Sequence, residues 1–177
     1  MPFPVSFEEA RRQLRLESDD ASRDDELRGW IEDAAAWVEG YTGHLLTERE
    51  VVEHVAGFKP VALTAWPIAA TALPALAYLG ADGSPIGIAN ARLDVTRRPA
   101  RIFPATGLFW PFRNAAQPFT VTITAGYATV DEVPRDMKRA MLILITAYDE
   151  DREGGDLFLK AVKAAERLCG RFRLRRL

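Results

Sequence analysis

Apolar residues near both ends of the chain recur every three or four positions, which is the period of an amphipathic helix. One set predicts a helix over residues 24–42, with these residues on a single face: Leu27, Ile31, Ala34, Val38 and Tyr41. Ser22 or Asp24 can serve as the N-cap of this helix, because a short polar side chain accepts hydrogen bonds from the first backbone N–H groups. Gly43 supplies a C-terminal stop, since glycine tolerates the left-handed conformation there.

Three further helices follow from similar signals. Ser6 and Glu9 have the spacing of a capping box and predict a short helix over residues 6–16. A helix over residues 134–153 has proline in its first turn, where the missing N–H costs nothing. A last helix is predicted over residues 156–168. The chain therefore carries two N-terminal and two C-terminal helices.

The middle of the chain, residues 45–126, is predicted to be rich in strands and loops. Its apolar residues alternate with polar ones, and prolines recur too often for a long helix. Asp82 and Gly83 lie between two alternating segments and predict a hairpin turn. The expected strands are residues 49–55, 61–64, 75–79, 86–88, 92–96 and 119–125. We therefore predict an α+β fold: a helical bundle with an inserted β-rich region and an extended basic tail.

Composition fits a single domain over residues 1–170, followed by a C-terminal tail, residues 171–177. Of the 177 residues, 48% are hydrophobic and 27% are charged, as in a globular protein with an ordinary core. The longest apolar stretches fall far short of the roughly 20 residues that span a bilayer, so no membrane association is expected. The first residues lack the pattern of a secretion signal, which favours synthesis in the cytoplasm.

Charge is distributed unevenly along the chain. Residues 1–59 contain 14 acidic and 7 basic residues, whereas residues 160–177 contain 7 basic residues and 1 acidic residue. A molecule with a negative front and a positive end is suited to contacts between neighbouring copies, or to holding a charged partner at one end.

The sequence contains no recognisable catalytic constellation. His44 is predicted to cap a helix or lie on the surface, and His54 to face solvent from a strand. Cys169, the single cysteine, is expected to be a packing residue. The acidic run at residues 149–151 is expected to be a solvated helix end, because successive helical residues point in different directions. We therefore predict no enzyme, no cofactor and no metal.

The C-terminal tail alternates arginine with large apolar residues: Arg171, Phe172, Arg173, Leu174, Arg175, Arg176 and Leu177. Such a segment can neither build a core nor dissolve fully in water. Three interpretations are open: a disordered solvated end, a segment that docks on a protein partner, and a segment that binds DNA.

Two other groups of residues have alternative interpretations. Trp30 and Trp37 lie seven positions apart and either pack at the edge of the core or anchor a subunit interface. Arg97, Arg98 and Arg101 form a second basic patch within an expected loop. That patch either is solvated or contacts the phosphates of DNA without reading bases.

Taken in order, these segments resemble phage head–tail connector (adaptor) proteins, including those of gene transfer agents. The opening resembles theirs in the run 7–16 and in these residues: Leu27, Ile31, Ala35, Val38, Glu39, Tyr41, Thr42 and Gly43. The ending resembles theirs in the run 122–127 and in these residues: Val133, Pro134, Lys138, Ala140, Leu144, Tyr148, Arg152 and Glu153. The β region does so in the following: Trp66-Pro67, Tyr78, Asp82-Gly83, Asp94-Val95, Arg101-Ile102 and Trp110-Pro111.

The resemblance implies a structural protein of the virion. Such proteins form a ring of about twelve copies under the portal, at the head–tail junction, consistent with cyclic assembly. The ring joins the portal to a tail-side connector or stopper protein and continues the channel through which DNA passes without sequence-specific contacts. In this family the C-terminal segment commonly grips the portal, and here residues 171–177 would do so. The alternative function is a nucleic-acid-binding module that uses the arginine-rich tail.

Overall fold

A computed structural model describes residues 3–16, 21–56, 61–80, 82–89, 91–110 and 118–174. Within these residues the chain forms four α-helices: α1 (Phe7–Leu14), α2 (Asp24–Thr42), α3 (Arg135–Glu150) and α4 (Asp156–Cys169). It also forms seven strands: β1 (Arg49–Val55), β2 (Val61–Ala62), β3 (Ala75–Leu79), β4 (Pro85–Ile88), β5 (Ala91–Asp94), β6 (Arg101–Pro104) and β7 (Phe119–Ala125). Helices at both ends and strands in the middle confirm the predicted α+β class. Arg175, Arg176, Leu177 and Pro111 lie outside the described residues.

The chain divides into two compact units. The helical unit comprises the described residues up to Thr47 and from Tyr127 onward, and the strand unit comprises those from Glu48 to Gly126. Each unit has buried apolar side chains of its own.

Helix α1 begins with the predicted capping box. The Ser6 hydroxyl oxygen accepts the Glu9 N–H at 3.1 Å, and the Ser6 N–H donates to Glu9 Oε2 at 2.8 Å. Two backbone donors that the helix leaves unpaired are thereby satisfied. The helix ends at Arg15, which adopts a left-handed conformation with φ of 55°.

The start of α2 differs from the prediction. Arg23 occupies the N-cap position and makes no side-chain cap, so neither Ser22 nor Asp24 plays that part. The Asp24 carboxylate instead accepts a hydrogen bond from Arg11 of α1 at 2.8 Å. The helix ends as predicted at Gly43, which has φ of 66° and whose N–H donates to the Glu39 carbonyl at 2.7 Å.

The core of the helical unit is built around α3, which packs against α1, α2 and α4. Its apolar face is fully buried, and so is the matching face of α2, because each helix presents one stripe of large side chains. The largest completely buried side chains of this unit are Val5, Leu27, Val38, Val133, Met137, Met141, Leu144 and Ile145.

The strand unit contains two antiparallel sheets in the described residues. One has the strand order β1-β7-β3-β4, and the other has the order β2-β6-β5. Strand β7 alternates as predicted: Phe119, Val121 and Ile123 are buried, while its threonines lie on the other face. The β3–β4 connection also turns as predicted, with Gly83 at φ of 79°.

Strand β6 was not foreseen from the sequence. It is the central strand of the second sheet, where Ile102 pairs with Val61 on one side and Leu93 on the other. Ile102 is completely buried. Arg101, which we expected in a loop, begins this strand opposite Asp94. The error arose because four residues ending in proline carry too short an alternation to distinguish a strand from a loop.

Candidate functional site

The described part of the C-terminal tail lies on the helical unit rather than extending from its first residue. Residues Gly170–Phe172 form a short 3-10 turn, and the half-buried Phe172 ring packs against the helical core. Arg171 donates to Asp136 Oδ2 at 2.8 Å, and its guanidinium lies 4.6 Å from the centre of the Phe172 ring. Residues 170–172 therefore continue the fold, and Leu174 is the last described apolar side chain, 38% exposed.

His44 is buried beneath this turn, with only 6% of the residue exposed, so the expectation of a surface histidine was wrong. Its Nδ1 lies 2.8 Å from the hydroxyl of Tyr127, and its backbone N–H donates to Thr42 Oγ1 at 3.1 Å. The Phe172 and His44 rings meet in a T-shaped contact, with centroids 5.9 Å apart and an interplanar angle of 75°. His44 is a structural contact for the C-terminal turn, because it is buried, its Nδ1 and backbone N–H are paired, and Phe172 packs against it.

A stack of three side chains lies beside this turn. Trp37 and Tyr41 are parallel, with ring centroids 5.1 Å apart and an interplanar angle of 7°. The guanidinium of Arg173 lies 5.1 Å from the centre of the Tyr41 ring, within the range of a cation–π contact. The stack connects the tail to α2. Trp37, one of the two candidate interface residues, is only half-buried at the end of this stack.

Trp30, the other candidate, is surrounded by charged side chains of its own chain. Arg23 and Arg152 both lie over its ring, at 5.2 Å and 5.5 Å from the centroid. Arg152 also forms a two-point ion pair with Glu26, at 3.2 Å and 3.0 Å. Through these contacts the Trp30 indole links the start of α2 to Arg152, which follows the end of α3. The indole itself is half-buried.

The acidic run at the end of α3 is organised by specific partners rather than simply solvated. Asp149 pairs with Arg23, and this pairing is the main reason that the pKa of Arg23 is raised. Asp151 accepts hydrogen bonds from the N–H groups of Gly155 at 3.0 Å and Phe158 at 3.1 Å. These bonds favour the charged carboxylate and lower the pKa of Asp151. Asp151 thus caps the first turn of α4.

A cleft of about 500 Å³ opens beside these residues, between the start of α2 and the α3–α4 corner. Its walls include Trp30, Tyr148 and Phe158, with Asp33 and Glu153 adding negative charge. Burial, and secondarily the charge of Asp33, raise the pKa of Tyr148. No group of metal-binding side chains occurs among the described residues.

In the strand unit, the three candidate DNA-contacting arginines lie at or beside the turn between β5 and β6. Arg97 and Arg101 are exposed, and Arg98 is half-buried. The turn is held by Asp94, whose Oδ1 accepts both the N–H of Thr96 at 3.0 Å and its hydroxyl at 2.6 Å. These two bonds are the main cause of the lowered pKa of Asp94.

Sequence reasoning missed the exposed apolar side chains of the strand unit. Leu73 and Phe109 are 91% and 93% exposed, and Leu79, Ile86 and Leu108 are also exposed. The signal was present at residues 108–110, where three large apolar residues follow Gly107 in a turn. Leu108 and Phe109, which are adjacent in this turn, expose apolar surface of the kind found where another molecule binds.

The described helices include none long and apolar enough to cross a bilayer. No protein family model and no curated protein matches the chain.

Solved structures of gene transfer agent (GTA) particles share the fold over almost the whole chain. A chain from the neck of an empty GTA particle, computed with C6 symmetry, is 26% identical; 97% of this chain and 90% of that chain align, with a TM-score of 0.78. A chain from the virion of a native GTA particle is 24% identical, with 97% and 90% coverage and a TM-score of 0.76. A chain from the neck of a native GTA particle, computed with C12 symmetry, is 24% identical, with 98% and 91% coverage and a TM-score of 0.75.

These likenesses confirm the resemblance to head–tail connector proteins that the sequence suggested. The likeness to the 26% identical chain also supports the prediction of a structural protein rather than an enzyme, because that chain is part of a particle neck.

Proposed function

We propose that this protein is the head–tail connector (adaptor) of a tailed phage or phage-like particle such as a gene transfer agent. About twelve copies form a ring under the portal, join the capsid vertex to the tail, and continue the DNA channel. The observation that carries the proposal is the agreement in fold, over 97% of the chain, with a protein of a particle neck. A neck computed with C12 symmetry supports the copy number.

The C-terminal tail is the proposed portal-binding segment. Residues 170–173 are held on the helical unit by contacts of Arg171, Phe172 and Arg173, which fix the point where the segment departs. Leu174, together with Arg175, Arg176 and Leu177, then contacts the portal. On its opposite side the ring meets a tail-side connector or stopper protein.

Trp30 and Trp37 are proposed to lie at subunit interfaces of the ring. Both are half-buried in the single chain, which leaves part of each indole available to a neighbour. Tryptophan is enriched in interfaces because it buries a large area with few rotatable bonds.

Arg97, Arg98 and Arg101 are proposed to contact DNA as it passes through the channel. The exposure of Arg97 and Arg101 at one end of the β5–β6 hairpin supports this role. Phosphate contacts of this kind need positive charge and no base recognition, as passage of any sequence requires.

The location of the protein in purified particles tests the proposal. A gold label on the protein, viewed by negative-stain microscopy, is expected at one vertex between head and tail. Label scattered over the shell, or absent from the particles, would overturn the connector proposal. Synthesis in the host cytoplasm followed by incorporation at the neck is the expected route.

A tail that docks on protein is distinguished from one that binds DNA by two matched variants. Leu174→Ala removes an exposed apolar side chain, and Arg175→Gln removes one positive charge while keeping a polar side chain. Portal docking predicts that Leu174→Ala weakens portal binding at least as much as Arg175→Gln, since apolar anchors usually dominate interfaces. If the tail instead binds nucleic acid, only Arg175→Gln is expected to weaken nucleic-acid binding. The same variant should also reduce the dependence of that binding on salt concentration.

A further inference from the structure

Helix α4 exposes a face that no other described part of the chain covers. We call Leu159, Lys160, Lys163 and Arg167 the basic face of α4; all four are exposed, and Leu159 is 54% exposed. On the opposite side of the helix, Ala161, Ala165 and Cys169 are buried. The three cations recur at steps of three and four residues and therefore share one surface.

The three cations of this face make no ion pair with any side chain in the described residues. Lys160, Lys163 and Arg167 are absent from the intramolecular ion pairs that hold Arg11, Arg23, Arg152 and Arg171. A cationic surface with an exposed leucine in it has the composition of an interface rim next to an apolar anchor.

Helix α2 presents a surface of opposite charge. We call Asp25, Glu32 and Asp33 the acidic face of α2; all three are exposed, while Leu27, Ile31, Ala34 and Val38 are buried on the other side of the helix. Arg28 offsets Asp25 only weakly, at 3.7 Å between two highly exposed side chains. Glu32 and Asp33 have no ion-pair partner among the described side chains. Trp37 lies one turn beyond Asp33 and is half-buried.

The two faces belong to different helices of the helical unit. Helix α3 packs closely against both α2 and α4, which touch each other much less. Asp33, at the edge of the acidic face, also lines the cleft beside Tyr148 of α3, while the basic face of α4 lies opposite the buried residues of that helix. Two different, complementary surfaces on one molecule are what a cyclic ring requires, because each copy presents one surface to the preceding copy and another to the next.

We propose that, in the assembled ring, the basic face of α4 in one copy packs against the acidic face of α2 in the next copy. This inference rests on the ring of the proposed function and names its contact surfaces. The charged pairs fix the position of α4 of one copy relative to α2 of the next, and they disfavour contacts in which like charges would meet. Leu159 and the exposed part of Trp37 supply the apolar area between them.

Cross-linking of paired cysteines tests the contact directly. A variant carrying Asp33→Cys and Lys163→Cys is assembled into particles and treated with a short bismaleimide. The native Cys169 does not interfere, since it is completely buried. The contact predicts a ladder of cross-linked dimers, trimers and higher species. Each single-cysteine variant can give at most a dimer.

A matched control pair combines Asp33→Cys with Glu8→Cys, which introduces the second thiol at an exposed position of α1. This pair is expected to give no ladder. No ladder from Asp33→Cys and Lys163→Cys in assembled particles, or an equal ladder from the control pair, would overturn the inference.

Charge exchange provides an independent test. Asp33→Lys and Lys163→Glu are each expected to lower the amount of protein incorporated into particles about tenfold, because each replaces attraction across the contact by repulsion. The double variant restores an opposite-charge pair between copies and is expected to recover incorporation. Full incorporation of both single variants, or no recovery in the double variant when circular dichroism shows that it is folded, would overturn the inference.

The two proposals fail in different ways. Label at the neck without a cross-linking ladder would reject the α4–α2 contact and keep the connector function. Label absent from the neck would reject the connector function itself.

Discussion

The helical unit and the strand unit treat their large apolar residues differently. In the helical unit, Met137, Met141, Leu144 and Ile145 of a single helix are completely buried. Among the described residues of the strand unit, the large exposed apolar side chains are those of Val52, Leu73, Leu79, Ile86, Leu108 and Phe109. The helical unit therefore buries most of its large apolar residues and exposes a few in its C-terminal part, such as Leu159 and Leu174, whereas the strand unit exposes more of them in its loops and strands.

This difference indicates how the two units contribute to an assembly. A unit with a well-packed core and a charged exterior holds its shape and offers specific contacts through charge. A unit with exposed apolar side chains gains stability when another molecule covers those side chains. The proposed connector role would use both properties, because a connector contacts neighbouring copies and other proteins of the particle.

The largest expected effect comes from opening a cavity in the helical core. Leu144→Ala is expected to lower the free energy of unfolding by about 3 kcal/mol, because the side chain is completely buried and its neighbours cannot fill the space. Phe109→Ala in the strand unit is the matched control, with an expected change within roughly 0.5 kcal/mol. Urea unfolding followed by circular dichroism measures both. Equal losses in the two variants would show that the comparison is wrong.

A smaller effect is expected from the charged exterior of the helical unit. Arg23→Ala removes the ion pair with Asp149 and the contact with the Trp30 ring, and should lower the free energy of unfolding by about 1 kcal/mol. Arg139→Ala removes an exposed arginine from α3 and is expected to have little effect. The same urea titrations provide the measurement. A loss for Arg139→Ala as large as that for Arg23→Ala would exclude a special role for the Trp30 cluster.

The cap of α4 predicts a pH dependence. The backbone bonds from Gly155 and Phe158 lower the pKa of Asp151 in the folded state below its ordinary value of 3.8. Its contribution to stability is therefore present above that pH and is lost as the pH falls through the folded pKa. Asp151→Asn is expected to lower the thermal midpoint at pH 7 and to match the unchanged protein at the acidic end. A constant difference at every pH would contradict the cap.

The smallest expected effect is the reactivity of Cys169, which reports whether the helical core opens. Burial, with the nearby Asp136 as a second cause, raises the pKa of this thiol to about 11. Little thiolate is present at pH 7, and the side chain is inaccessible, so maleimide should not label it in the folded protein. Intact-mass spectrometry before and after addition of urea is the measurement. Rapid labelling without urea would show that the helical core is not closed.

Much of the fold could be predicted from local signals. The capping box of Ser6 and Glu9, the stop at Gly43 and the alternation in β7 each depend on a few neighbouring residues, and each was found correctly. Strand β6 could not be predicted, since Ile102 is buried by two strands that are distant in sequence.

The candidate site was less accessible to sequence reasoning than the fold. His44 carried no local sign that Tyr127 and Phe172 would enclose it, because these partners lie far along the chain. Trp30 and Trp37 were identified as candidates, but their arginine and tyrosine neighbours were not. The neighbours of these two tryptophans are set by the tertiary contacts of the folded chain, and the residue type alone does not specify which neighbours they have.

By itself, the sequence determined the order of helices and strands, the separation of acidic and basic charge, and the resemblance to connector proteins. These properties follow from the period of apolar residues and from local turn chemistry, which act over a few residues. Only the tertiary structure decided which arginines are held by their own chain, that Phe172 packs on the helical core, and which apolar residues stay exposed. Those outcomes depend on packing between segments far apart in sequence, where burial and pairing are decided together.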